Sequence, residues 1–158
     1  MMEKPRLVRF GNLDAIELPN DDPLALTVIC LHGYGADRSD LAPLAAELAV
    51  KRPLTWLFPD APLPLDFSGG RAWFPIAEAD FEEAQRTGAP RDLSLDVPEG
   101  MAAARAELEL FLKDLGAPWE NMVLMGFSQG AMMAVDLALR AEGKPAGAAI
   151  LSGTLVDK

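Results

Sequence analysis

The sequence predicts an α/β fold, a mostly parallel sheet flanked by helices, on three observations. Short apolar runs suited to strands buried on both faces recur at residues 26–31, 54–58, 122–125 and 146–151. Segments with helically spaced apolar residues lie between them. A glycine-flanked serine, Gly126-Phe127-Ser128-Gln129-Gly130, joins one run to an Ala- and Leu-rich segment, so strand, sharp turn and helix follow directly on one another.

Leu7-Val8-Arg9-Phe10 and Asp14-Ala15-Ile16-Glu17-Leu18 alternate around Gly11-Asn12, which predicts an opening hairpin. The apolar run 26–31 ends in His32-Gly33-Tyr34-Gly35-Ala36-Asp37. Residues 41–50 read as a helix, with Asp40 as N-cap and Leu41, Leu44, Ala45 and Leu48 on one face. After the run 54–58, residues 60–100 form a long, turn-rich connection carrying Pro62, Pro64, Gly69, Gly70 and Trp73-Phe74-Pro75. Its acidic stretch, with Glu78, Asp80, Glu82 and Glu83, reads as a solvated surface. Within 93–116, Met101, Ala104, Leu108, Phe111, Leu112 and Leu115 repeat at helical spacing until Gly116 and Pro118 stop them. Residues 131–140 continue the serine turn as a helix. With no internal repeat and no linker, residues 1–158 form a single domain.

Composition narrows the function classes. The 24 acidic against 14 basic residues leave a net charge of −10, which disfavours nucleic-acid backbones and anionic membranes as partners. Cys30 is the only cysteine, so no internal disulfide forms and a reducing compartment is expected. The start, Met1-Met2-Glu3-Lys4-Pro5-Arg6, lacks the apolar core of a signal peptide, and no run reaches the roughly 18 apolar residues of a membrane span. A cytoplasmic protein with no metal and no cofactor is the expectation.

The serine turn carries a mechanical requirement. A hydroxyl at the tip of a strand-to-helix turn needs a strained backbone, and glycines two residues to either side let strand and helix pass without Cβ collisions. Ser128 is therefore the candidate nucleophile. Together with Leu31-His32-Gly33-Tyr34-Gly35-Ala36-Asp37, Phe58-Pro59-Asp60-Ala61-Pro62, Trp73-Phe74 and Leu151-Ser152-Gly153, it resembles the phospholipase/carboxylesterase family of α/β-hydrolases, which includes the acyl-protein thioesterases. The segments occur in that family's order. The resemblance implies an α/β-hydrolase fold and cleavage of a carboxylic ester or thioester through an acyl-enzyme on Ser128, the substrate being a small-molecule or acyl ester. It implies an oxyanion hole formed by the backbone amides of Tyr34 and Gln129. It also sets Trp73 and Phe74 near the mouth of an acyl pocket; packing of these two rings onto the core is the alternative.

The family places its catalytic acid and histidine after later strands, in the order Ser, Asp, His. This sequence has one histidine, His32, upstream of the serine, and ends just after the run resembling the sixth strand. Asp136 and Asp157 do not match the family's acid position. The resemblance thus covers the N-terminal two-thirds or so of such an enzyme, and the fold is expected to be truncated after strand six. His32 belongs to the oxyanion loop, so it is expected to hold that loop by hydrogen bonds to nearby backbone instead of serving as base. Two expectations follow: the 158-residue chain alone is nearly inactive as an esterase, and Ala148, Ala149, Ile150 and Leu151 form an uncovered edge that invites self-association. The alternative from another class is a non-catalytic binding or scaffold protein that keeps the pocket without the chemistry.

Overall fold

The computed structural model describes residues 4–66, 68–88 and 97–156. The opening hairpin forms as its alternation predicts: β1 (Arg6–Phe10) pairs antiparallel with β2 (Leu13–Leu18), and Gly11 at φ 54° supplies the left-handed step of the turn. There follow β3 (Leu26–Leu31), a short helix α1 (Leu44–Glu47), β4 (Leu54–Pro59), and a small antiparallel pair, β5 (Leu63–Pro64) with β6 (Arg71–Ala72). Then come α2 (Glu78–Thr87), α3 (Met101–Leu115), a 3₁₀ turn at Trp119–Asn121, β7 (Met122–Phe127), α4 (Gln129–Arg140) and β8 (Gly147–Leu151).

The main sheet has the order β1-β2-β4-β3-β7-β8, with β4, β3, β7 and β8 parallel. Its central strand β3 is paired on both sides, and its buried run explains why Val28, Ile29, Cys30 and Leu31 read as continuously apolar. The register sets Leu31 opposite Gly126, so the loop after β3 and the serine turn after β7 emerge side by side. That juxtaposition is what the fold supplies to the site.

Two apolar layers cover the sheet. One face packs Ile29, Leu31, Leu57 and Leu124 against Leu108 and Phe111 of α3 and Met133 and Leu137 of α4, with Phe10 meeting Phe111 edge-on at 5.5 Å. The other holds Val28, Cys30, Trp56, Phe58 and Met125 beside Ala45 of α1. Gly116, at φ 69°, caps α3 where the helical spacing ends.

Three differences from the sequence expectation have physical causes. The helix expected over 41–50 shortens to α1, because the N–H groups of Leu44, Ala45 and Ala46 bond to carbonyls only three residues back, in tight turns. Pro43, not Asp40, stands at its N-cap, with no side-chain capping bond, and Leu48 is exposed. The connection 60–100 holds more structure than its turn residues suggest: α2 is a helix with no apolar stripe to announce it, and Glu82 and Glu83 on it are exposed. Residues 93–96, within the interval that contains α3, and Asp157 lie outside the described residues. Among the described residues β8 pairs with β7 alone, and Ile150 and Leu151 are 39 % and 41 % exposed. No helix among the described residues is long and apolar enough to cross a membrane.

Candidate active site

Ser128 sits between β7 and α4 at φ 53°, ψ −117°, a conformation that an L-residue adopts only at a cost of about 1–3 kcal/mol. Its N–H donates to the Leu151 carbonyl (2.9 Å) and its own carbonyl accepts from Met132 N–H (3.1 Å), so both neighbouring elements hold the strain. The flanking glycines are sterically required. A Cβ on Gly126 would overlap the Gly130 carbonyl, and one on Gly130 would overlap the Leu31 carbonyl oxygen and lie 2.5 Å from that of His32. A Cβ on Gly33 would lie 3.6 Å from Ser128 Cβ, which shows how closely the loop after β3 approaches the serine.

His32 lies beside this turn, 1 % exposed, and both its ring nitrogens are engaged. Nδ1–H donates to the Gly33 carbonyl (2.8 Å) and Nε2 accepts from Ala61 N–H (3.0 Å), which fixes the neutral tautomer. The ring therefore ties the loop to the segment after β4, as expected, and offers no lone pair to a serine proton. Burial lowers its pKa below the ordinary 6.5, against smaller opposing effects of the Gly33 hydrogen bond and the Asp60, Asp37 and Asp40 charges. The sign follows: as pH falls below 6.5, the unfolded chain takes up the proton before the folded one, so stability declines down to the lowered folded value. Urea denaturation between pH 7 and pH 5 should show this loss in the wild type and less of it in His32→Gln; parallel curves would contradict the assignment.

Arg71 braces the same loop. Its backbone accepts from Gly35 N–H (2.9 Å) and donates to the Ala36 carbonyl (2.8 Å), while its guanidinium Nε and Nη2 donate to the Ala61 (2.5 Å) and Pro62 (3.1 Å) carbonyls. Tyr34, half-buried, lies within this braced loop. Gln129 opens α4, and as its first residue it presents a backbone N–H with no acceptor inside the helix. The Gln129 side chain, 3 % exposed, has a use that sequence reasoning missed: Oε1 accepts from Trp73 N–H (2.8 Å) and Nε2 donates to the Phe74 carbonyl (2.8 Å). Trp73 Nε1–H donates in turn to the His32 carbonyl (2.9 Å).

Trp73 and Phe74 are 1 % and 2 % exposed, within the core layer that faces α3 and α4. The structure thus brings the Ser128 turn, the His32 loop and the 73–74 segment together. Asp136 is kept apart from them in function, since its carboxylate is paired with Arg105 (2.5 Å) and Arg140 (2.8 Å) where α3 meets α4.

Comparison with known proteins follows the same geometry. Residues 13–158 match the sequence model of the family described as Phospholipase/Carboxylesterase. Acyl-protein thioesterase 1 of Saccharomyces cerevisiae is 32 % identical over 143 residues, covering 83 % of this chain and 59 % of that protein. The protein of the same name from Cryptococcus neoformans is 31 % identical, covering 80 % and 53 %. Among solved structures, esterase PE8 superposes with a TM-score of 0.75 at 31 % identity, covering 91 % of this chain and 65 % of that one. A carboxylesterase from Mesorhizobium loti, at 22 % identity and a TM-score of 0.69, shares the fold. The chain spans between half and two-thirds of the length of these relatives.

Proposed function

The chain belongs to the phospholipase/carboxylesterase family of α/β-hydrolases, and from that membership we propose that it carries the nucleophile and the oxyanion amides of a serine hydrolase acting on carboxylic esters or thioesters. The observation that carries the reading is the strained, glycine-flanked Ser128 set against the loop of Gly33 and Tyr34. In this reading Ser128 Oγ attacks the substrate carbonyl, the developing oxyanion is held by the Tyr34 and Gln129 amides, the alcohol or thiol departs, and water releases the acyl group from Ser128. A non-catalytic scaffold has no use for backbone strain at that serine, which favours the catalytic reading.

The proton on Ser128 Oγ needs a base, and the one histidine of this sequence does not supply it, because both His32 nitrogens are committed to the backbone. Trp73 and Phe74, expected near the mouth of an acyl pocket or else packed on the core, are buried in the core cluster, which favours the packing role over contact with an acyl chain. A reducing, cytoplasmic setting fits the lone buried Cys30, and the open β8 edge is the surface through which copies of the chain would associate.

Added imidazole tests the nucleophile directly by standing in for the missing base. With p-nitrophenyl butyrate and imidazole, the peptide containing Ser128 should gain a butyryl group by mass spectrometry, and Ser128→Ala should abolish the adduct. Labelling at other residues, at the same rate in both proteins, would sink the reading.

A further inference from the structure

We propose that the Gln129 side chain and Trp73 form a clamp that holds the loop after β3 against the start of α4 and so sets the spacing of the two oxyanion amides. Both are positioning residues, acting through the Tyr34 and Gln129 backbone. The inference rests on the reading of those amides as oxyanion donors.

The two amides stand on different elements. Tyr34 is carried by the loop that leaves β3, and Gln129 by the first turn of α4; the β3–β7 register brings the two elements side by side, but both amides lie beyond its last pair, Leu31 and Gly126, where the ladder no longer holds them. Trp73 spans the gap. Its backbone N–H meets Gln129 Oε1 at 2.8 Å, and its indole Nε1–H meets the His32 carbonyl at 2.9 Å, two residues before Tyr34. The contact is tight from the other side as well, since a Cβ on Gly130 would come within 2.5 Å of that same His32 carbonyl oxygen. His32 in turn is anchored through its ring to Gly33 and Ala61, and the ring lies 5.5 Å from that of Trp73.

A primary amide suits the position chemically. Trp73 N–H can only donate and the Phe74 carbonyl can only accept, so the side chain at 129 must present one acceptor and one donor to successive backbone groups. These partners also determine which end of the amide is oxygen. Burial of Gln129, Trp73 and His32 to 3 %, 1 % and 1 % exposure leaves no water to substitute for either bond. Glutamate keeps the acceptor, but it can donate to Phe74 only while protonated. Methionine keeps the length and loses both bonds.

Amide resonances of the ¹⁵N-labelled chain test the clamp whether or not ester is hydrolysed. In Gln129→Glu, the amides of Trp73, Tyr34 and residue 129 should shift together in a titration step above the ordinary glutamate range of about 4.3, additional to the step of the His32 ring, 5.5 Å from that of Trp73, which the wild type shares. In Gln129→Met, which keeps the proposal testable if the glutamate variant does not fold, hydrogen exchange at Trp73 and at Gly35, whose N–H beside Tyr34 is bonded to the Arg71 carbonyl, should quicken about tenfold or more relative to core amides. A Trp73 response without a Tyr34 response in the glutamate variant or a Gly35 response in the methionine variant, or no response at all, would overturn the clamp. If Tyr34 responds but the imidazole-assisted adduct does not depend on Ser128, the clamp stands and the oxyanion reading fails.

Discussion

Gly130→Ala is expected to lower stability by more than about 4 kcal/mol at 25 °C. The added methyl would occupy the space of the Leu31 carbonyl oxygen and approach the His32 carbonyl, and both belong to backbone that cannot retreat. Leu31 ends the central strand, whose pairing with β4 on one side and β7 on the other would have to break for it to move. α4 cannot withdraw either, because Ala131, Met133 and Ala134 are fully buried against the sheet. Overpacking in a core typically costs about 1–3 kcal/mol, and a collision with fixed backbone belongs to the tail above about 4 kcal/mol. A loss of that size removes most of the stability of a domain near the lower end of the usual range of roughly 5–15 kcal/mol. Gly147→Ala is the control, since a Cβ there meets only Val123 at 4.0 Å and should change stability by less than about 1 kcal/mol. Urea midpoints measure both; equal midpoints for Gly130→Ala and the wild type would show that the turn is not built as described.

The site was legible where chemistry follows sequence-local rules. Ser128 announces itself because an apolar strand, two glycines and an Ala-rich helix must adjoin it, and the structure joins them at a strained φ of 53°. His32 was legible as a loop support, since an imidazole at the end of a buried strand must satisfy both nitrogens nearby. What escaped depends on distant partners. Gln129 suggested only a backbone donor, because the Trp73 peptide that fixes its side chain lies 56 residues away in sequence. The Trp73 and Phe74 rings left core and pocket both open, and their near-complete burial is a product of tertiary packing. The helix expected over 41–50 failed for a local reason: apolar spacing does not say whether three- or four-residue hydrogen bonds will close, and around Pro43 the shorter ones did.

The largest expected effect concerns turnover. In a serine hydrolase the loss of the histidine alone removes about 10⁶-fold from turnover, on the order of 8 kcal/mol of transition-state stabilisation, because serine and base act as a unit. His32 cannot replace it while one nitrogen donates to Gly33 and the other accepts from Ala61. Oxyanion donors and binding alone leave about 10³–10⁴-fold over water, and once the base is gone, deleting the serine removes little more. An acyl-protein thioesterase relative assayed beside this chain should therefore exceed it by several orders of magnitude.

Hydrolysis of p-nitrophenyl butyrate by the 158-residue chain without added base, measured for the wild type, Ser128→Ala and His32→Gln, separates a serine that lacks its base from a working Ser128–His32 pair. Turnover should be slow and change by no more than a few-fold in either variant. Turnover in the ordinary enzymatic range of about 1–10³ per second, abolished equally by both substitutions, would contradict this and make His32 the base.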